Sequence, residues 1–275
     1  MAIYGKGTET YLYLNGIRPR KEARLDDAVV LLASSCNPTL DEIIAKSKRE
    51  IDIGVACVFL RSVSACLRVI ANTPQELAVK TWNAQWDAVL LGALYDCEVG
   101  HNFQCDVAPE SFSEAKEFHV TNYAFKGLNS GVIRTLTSTE HVWLMAHYGK
   151  AQRLLDDDRY RNAVHCLASY RWHSMPRAQL ALIWSGIEGL FEIDYELSFR
   201  LSLYIAKYLS PRGRTRQKAI FDEIKNLYGS RSKAVHGGKL KGTENAVKRS
   251  LKVLRQLIVK SAEQGSLPKC SELWP

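Results

Sequence analysis

The sequence predicts a mainly α protein: a helical bundle over residues 138–275, preceded by a smaller α+β domain over residues 1–137. Three observations lead there. Apolar residues recur at three- and four-residue steps almost continuously from residue 138 onward, the spacing of one helix face. The first half instead mixes short alternating runs with breaks marked by Gly, Pro and Asn. Charge divides at the same place: residues 1–137 carry 14 Lys/Arg and 16 Asp/Glu, a net of −2, whereas residues 138–275 carry 23 and 13, a net of +10.

In the first half, Tyr11, Tyr13 and Asn15 alternate with Leu12 and Leu14, which reads as a short strand. Residues 41–49 can open a helix with Thr39 as its cap. From Ile51 the residues Ile51, Ile53, Val55, Cys57 and Phe59 alternate, which favours a strand, although the unbroken apolarity also allows a buried helix. Val63–Ile70 reads the same way. Asn72-Thr73-Pro74 is a turn, and residues 76–96 follow as a helix carrying Leu77, Trp82, Trp86, Leu90 and Leu94. Trp82 and Trp86, one turn apart, read as core more readily than as a platform for stacking bases. Residues 98–137 read as loops around short apolar pieces such as Val120–Phe125, punctuated by Gly100, Pro109, Gly127, Asn129 and Gly131.

The second half reads as six helices: Ser138 to about Leu155, Tyr160 to about Trp172, Pro176 to Phe191, Tyr195 to Leu209, about Arg216 to Tyr228 and beyond, and Glu244 to Glu263. Pro176 stands at a first helical position, where its missing N–H costs nothing. Leu180, Ile183, Trp184, Ile187, Leu190 and Phe191 form the buried stripe of the third helix. Pro211-Arg212-Gly213 separates the fourth from the fifth.

Composition excludes several classes. With 46% hydrophobic and 24% charged residues, the chain has material for an ordinary core. No apolar run approaches the roughly eighteen residues of a membrane span. The start, Met1 to Lys6, carries no signal core, and seven scattered cysteines, an odd number, suit reduced thiols; a cytoplasmic chain without a membrane partner is expected. Cys97, His101 and Cys105 stand at four-residue steps, which on a helix would put possible zinc ligands on one face. Gly100 interrupts that helix and no fourth ligand is evident, so free thiols and a loop histidine are expected, with no metal and no cofactor. Gly5-Lys6-Gly7-Thr8 lacks the glycine spacing of a phosphate loop.

The basic half points to a polyanion. Its most suggestive stretch is Arg231-Ser232-Lys233-Ala234-Val235-His236-Gly237-Gly238. Arg231 is a fixed cation able to hold a phosphate by two hydrogen bonds, and His236 can move protons near neutral pH. Five residues of ideal helix turn about 500°, so the two would point about 140° apart. Either the helix ends within the motif, which Gly237-Gly238 permits, or the side chains meet in a groove shared with a second subunit. Arg212, Arg214, Arg216 and Lys218 precede the motif, and Lys233, Lys239 and Lys241 lie within or after it, so phosphates could be held over this area. The spacing alone also fits a solvated Arg and an unrelated helix-terminal His.

Leu227-Tyr228 followed by Arg231–Gly237 resembles the signature of the HEPN superfamily, in which an Arg and a His stand four to six residues apart. Ala181–Phe191 and Glu196–Leu201 resemble its ApeA-like branch, and the resemblance covers roughly residues 138–262. It implies a helical bundle, a homodimer, and a metal-independent endoribonuclease (a hydrolase acting on RNA) of prokaryotic antiviral defence or toxin–antitoxin systems, with a possible antitoxin or sensor as partner. Arg231 and His236 would then be the catalytic pair and Ser232 the polar residue that follows the Arg, where many relatives have Asn, Asp or His. Some relatives carry a modifiable Tyr two residues after the His; here that position is Gly238. Glu188, on the third helix, is a candidate for orienting His236 or Arg231. Arg200 is expected to pair with Glu188 or Glu196. The RNA-binding candidates are Arg212, Arg214, Arg216, Lys218, Lys233 and Lys239. The alternative expectation is a catalytically inactive HEPN-fold module that binds RNA or protein.

Overall fold

The computed structural model of the chain describes residues 5–47, 49–123, 132–193, 196–239 and 242–273. Met1–Tyr4, Ala124, Phe125, Gly127, Asn129, Gly131, Tyr195 and Lys241, named above, lie outside them. In chain order the elements are β1 (Glu9–Asn15), β2 (Ile17–Arg18), β3 (Ala23–Arg24), β4 (Val29–Ala33), α1 (Leu40–Lys46), α2 (Glu50–Phe59), β5 (Val63–Ile70), α3 (Pro74–Tyr95), β6 (Gly100–Cys105), β7 (Phe118–Val120) and β8 (Arg134–Thr135). There follow α4 (Ser138–Leu154), α5 (Asp158–Ser169), α6 (Pro176–Gly189), α7 (Leu197–Leu209), α8 (Arg214–Val235), α9 (Thr243–Gln264) and α10 (Cys270–Leu273). Mainly α is therefore the observed class. No helix among the described residues is long and apolar enough to cross a membrane.

The chain divides into two compact units, Met1–Gly149 and Lys150–Pro275. The division falls inside α4 and not ahead of it at residue 137, because the first turns of this helix are fastened within the first unit. Tyr95 donates to the Glu140 carbonyl at 3.1 Å and Tyr148 to Asp87 Oδ1 at 2.6 Å. Charge composition changes before the packing does.

The first unit is built on a six-stranded antiparallel sheet in the order β3-β4-β5-β1-β6-β7, with a separate parallel pair of β2 and β8. β1, the strand marked by alternating Tyr and Leu, lies inside the sheet, Tyr13 facing Cys66 on one side and Phe103 on the other. Tyr13, Phe59, Phe103, Phe112 and Phe118 form an aromatic core, with Phe103 and Phe118 stacked at 4.5 Å. Thr39 caps α1 through a reciprocal box with Glu42, as its position suggests.

Three expectations are corrected here. Residues 51–59 are helical, not a strand: Asp52, Val55, Ala56 and Phe59 are buried at steps of three and four, leaving Ile51 and Val58 exposed. Alternation and helical spacing coexist in so apolar a run, and packing selects the helix. Trp82 is 47% exposed rather than core, because the buried stripe of α3 runs through Leu77, Thr81, Ala84, Ala88 and Leu91. Residues 98–137 contain the fully buried strand β6, hidden by its polar His101, Asn102 and Gln104.

The second unit is the bundle of α5 to α10. α6 packs against α5, α8 and α9, and α7 packs along α8. The predicted stripe of α6 is buried, with Trp184 fully enclosed and its Nε1 donating to Ser250 Oγ of α9 at 2.9 Å. Gly186 lets α5 come close: a Cβ there would stand 3.0 Å from that of Cys166.

Candidate functional site

The Arg231–Gly238 stretch occupies the end of α8. The helix continues through Arg231 to Val235, and His236 is its C-cap, with the His236 N–H donating to the Ser232 carbonyl at 2.9 Å. Gly237 then takes a left-handed conformation, φ +77, the turn that commonly stops a helix. Gly238 folds back so closely that a Cβ would lie 3.2 Å from the Lys233 side chain. The helix thus ends at the last residue of the Arg–His motif, too late to turn the imidazole back toward Arg231.

The two side chains have different surroundings. Arg231 is half-buried and reaches α6, where its Nη2 donates to Glu188 Oε2 at 2.9 Å. The guanidinium also lies 5.7 Å from the ring centre of Tyr228, three residues earlier on α8. Tyr228 in turn meets Trp184 edge-on at 5.5 Å. The orientation of Arg231 is therefore set from two helices. His236 is exposed, and no bond joins it to Arg231 among the described residues. Ser232 supplies its carbonyl to the cap.

Glu188 and Arg231 are incompletely satisfied. Glu188 Oε1 and Arg231 Nε are buried without a hydrogen-bond partner among the described residues. Burial pushes the Glu188 carboxyl above its usual range, and the neighbouring guanidinium brings it only part of the way back. Burial, followed by the Glu188 charge, pushes the Tyr228 phenol up. Glu188 thus holds a cation in a site where ionisation of the carboxylate is costly, so another anion could compete for Arg231. Arg200 pairs with Glu196, Nε to Oε2 at 3.3 Å.

One contributor was not marked by the motif. Arg177, in the first turn of α6, donates to the Lys233 and Ala234 carbonyls at 3.2 and 3.3 Å and to the Gly238 carbonyl at 2.6 Å. It caps the end of α8 from a neighbouring helix. Its signal in the sequence is a cation beside Pro176, at a helix N-terminus where a cation is unfavourable for its own helix.

The cationic candidates separate into two groups. Lys233 and Lys239 are exposed at the same end of α8 as His236. Arg212, Arg214, Arg216 and Lys218 are exposed at the opposite end, and Arg216 lies about 22 Å of helical rise from Arg231. Cys97, His101 and Cys105 do not share a helix: Cys97 follows α3, and His101 and Cys105 stand on β6 about 13 Å apart along the strand. No group of three or more His, Cys, Asp or Glu side chains is placed to hold a metal among the described residues.

Compared with known proteins, the chain matches no family model and has no significant match among curated proteins or solved structures.

Proposed function

We propose that the chain is a metal-independent endoribonuclease of the HEPN type, acting as a homodimer. The observation that carries this reading is Arg231, aimed by Glu188 and Tyr228 on the helix whose exposed end presents His236 with Lys233 and Lys239. In this mechanism the ribose 2′-oxygen attacks the adjacent phosphorus while the bond to the 5′-oxygen breaks. A cyclic 2′,3′-phosphate and a free 5′-hydroxyl result. One His236 takes the 2′-hydroxyl proton as general base, and a proton is returned to the leaving oxygen by a general acid. Arg231 stabilises the charge that builds on the phosphoryl oxygens. Ser232 belongs to the same cap and serves the site through its backbone. Two copies would supply two imidazoles to one groove, which answers the divergence of Arg231 and His236 within a single helix. The requirement for a 2′-hydroxyl makes RNA the substrate. The resemblance assigns this activity to cytoplasmic prokaryotic defence or toxin systems, with an antitoxin or sensor as partner.

The test is incubation of the purified chain with labelled RNA in the presence of chelator. Cleavage is expected, with His236→Ala and Arg231→Ala each slowing it by about 100-fold or more. Absence of cleavage by the wild type, or equal cleavage by His236→Ala, sinks the assignment.

A second reading has its own observation. Arg231 is tied to Glu188, and His236 has no side-chain partner to orient it among the described residues. This suits a catalytically inactive module that binds RNA or protein through the basic surface. RNA binding that weakens with salt, without cleavage, would favour it.

A further inference from the structure

A cavity of about 360 Å³ opens between the end of α7, the first half of α8 and the outer face of α9, with Arg216, Arg249, Lys252, Arg255 and Lys260 in its walls. Only two carboxylates join them, Glu223 and Glu263, and Glu223 is already engaged with Arg249 at 3.0 Å. We propose that this cavity is a distal anchor for the phosphate backbone of RNA, set apart from the end of α8 that carries Arg231 and His236. The proposal rests on the ribonuclease reading only in naming the anchored molecule as the substrate.

Three observations support it. Arg249, Lys252 and Lys260 fall within about 80° of one another around α9 and span about 16 Å along it, a track longer than one phosphate needs. The Lys260 ammonium in the cavity wall is pushed down chiefly by burial, Glu263 countering and Arg216 adding a smaller push down, so this cation has lost hydration that an anion in the cavity would replace. None of the lining residues is aromatic, so the site offers charge to a backbone and no stacking surface to a base. Arg214 and Lys218, each two residues from Arg216 and so about 160° around α8 from it, are exposed on the other side of that helix, which leaves the track to the cavity and the face of α9.

The distance has a consequence. Fifteen residues of α8 separate Arg216 from Arg231, about 22 Å of rise with a net rotation of about 60°, so the two lie toward the same side of the helix. At roughly 3.4 Å per nucleotide in a stacked strand, about six nucleotides bridge them. An RNA of about four nucleotides cannot occupy both places, whereas one of about twenty can.

The test measures binding by fluorescence anisotropy, using the full chain with His236→Ala so that RNA stays intact. Labelled single strands of about four and about twenty nucleotides are compared across a salt series. The parent is expected to prefer the longer strand. Adding Lys252→Ala, Arg255→Ala and Lys260→Ala together is expected to weaken the longer strand by at least about tenfold, to reduce the salt slope by about 2, and to remove the length preference. Glu223→Gln, which frees Arg249, is expected to tighten it about two- to threefold, a gain that misfolding does not produce. Unchanged affinity of the triple variant overturns the anchor, as does no tightening in Glu223→Gln, or saturable binding of a nucleoside triphosphate without RNA binding. RNA binding that depends on these cations, without cleavage by the chain that retains His236, upholds the anchor and removes the ribonuclease assignment. Cleavage with affinity indifferent to these cations does the reverse.

Discussion

Glu188 is the residue whose chemistry bears most directly on the proposed site. Its carboxyl is raised above the ordinary value because burial outweighs the attraction of Arg231. The unfolded chain therefore gives up this proton at a lower pH than the folded chain does. The contribution of Glu188 to stability is fully present below the ordinary glutamate range and is lost as pH rises through the raised value. Thermal melting of wild type and Glu188→Gln between about pH 4 and 7 should show wild type losing stability relative to the variant as pH rises. A relative gain would contradict the direction of the shift. Gly237 is simpler: φ is +77 and an added Cβ would meet nothing within 4 Å, so Gly237→Ala tests backbone strain alone. A loss of about 1 kcal/mol is expected in denaturant unfolding.

At the scale of elements, α8 depends on α6. The last carbonyls of α8 are held by Arg177, and removing that side chain leaves them to water. Arg177→Ala should fray the final turn, with hydrogen exchange at Ala234–Gly238 accelerated about tenfold, equivalent to about 1.4 kcal/mol of local stability. It should also reduce the proposed cleavage without touching the Arg231–Glu188 pair. The junction of α6 and α9 has its own polar lock. Ser250→Ala leaves the enclosed Trp184 N–H without an acceptor and should cost about 1–3 kcal/mol of unfolding free energy. The elements also show where periodicity is decisive. The α6 stripe from Leu180 to Phe191 admits only one helix face. Residues 51–59 admit two periods, and contact with the aromatic core settles between them.

For the whole molecule, the seven cysteines give a check on how the chain is packed, since all are free thiols. Burial pushes Cys36 and Cys66 up to about 12 and Cys105 and Cys166 up to about 11, whereas Cys57, Cys97 and Cys270 are only half-buried. A thiol-labelling reagent at neutral pH should modify the half-buried set first and reach the four buried thiols only on unfolding. Early modification of Cys66 or Cys105 would contradict the core of the first unit. The proposed dimer is tested at this scale by light scattering or analytical ultracentrifugation: a monomer at working concentrations would remove the shared groove.

The sequence by itself determined the mainly α class, the stripe of α6, the capping of α1, the basic second half and the positions of Arg231 and His236, because these depend on local periodicity, local hydrogen bonding or counted charge. Tertiary structure decided what those residues face. Arg231 meets Glu188 from 43 positions away, and Arg177 reaches the end of α8 from 56 and 61 positions away. The basic residues before the motif, near it in sequence, stand at the far end of a 22-residue helix. A helix converts sequence separation into about 1.5 Å of rise per residue, so charges that read as one cluster become two groups at opposite ends of α8.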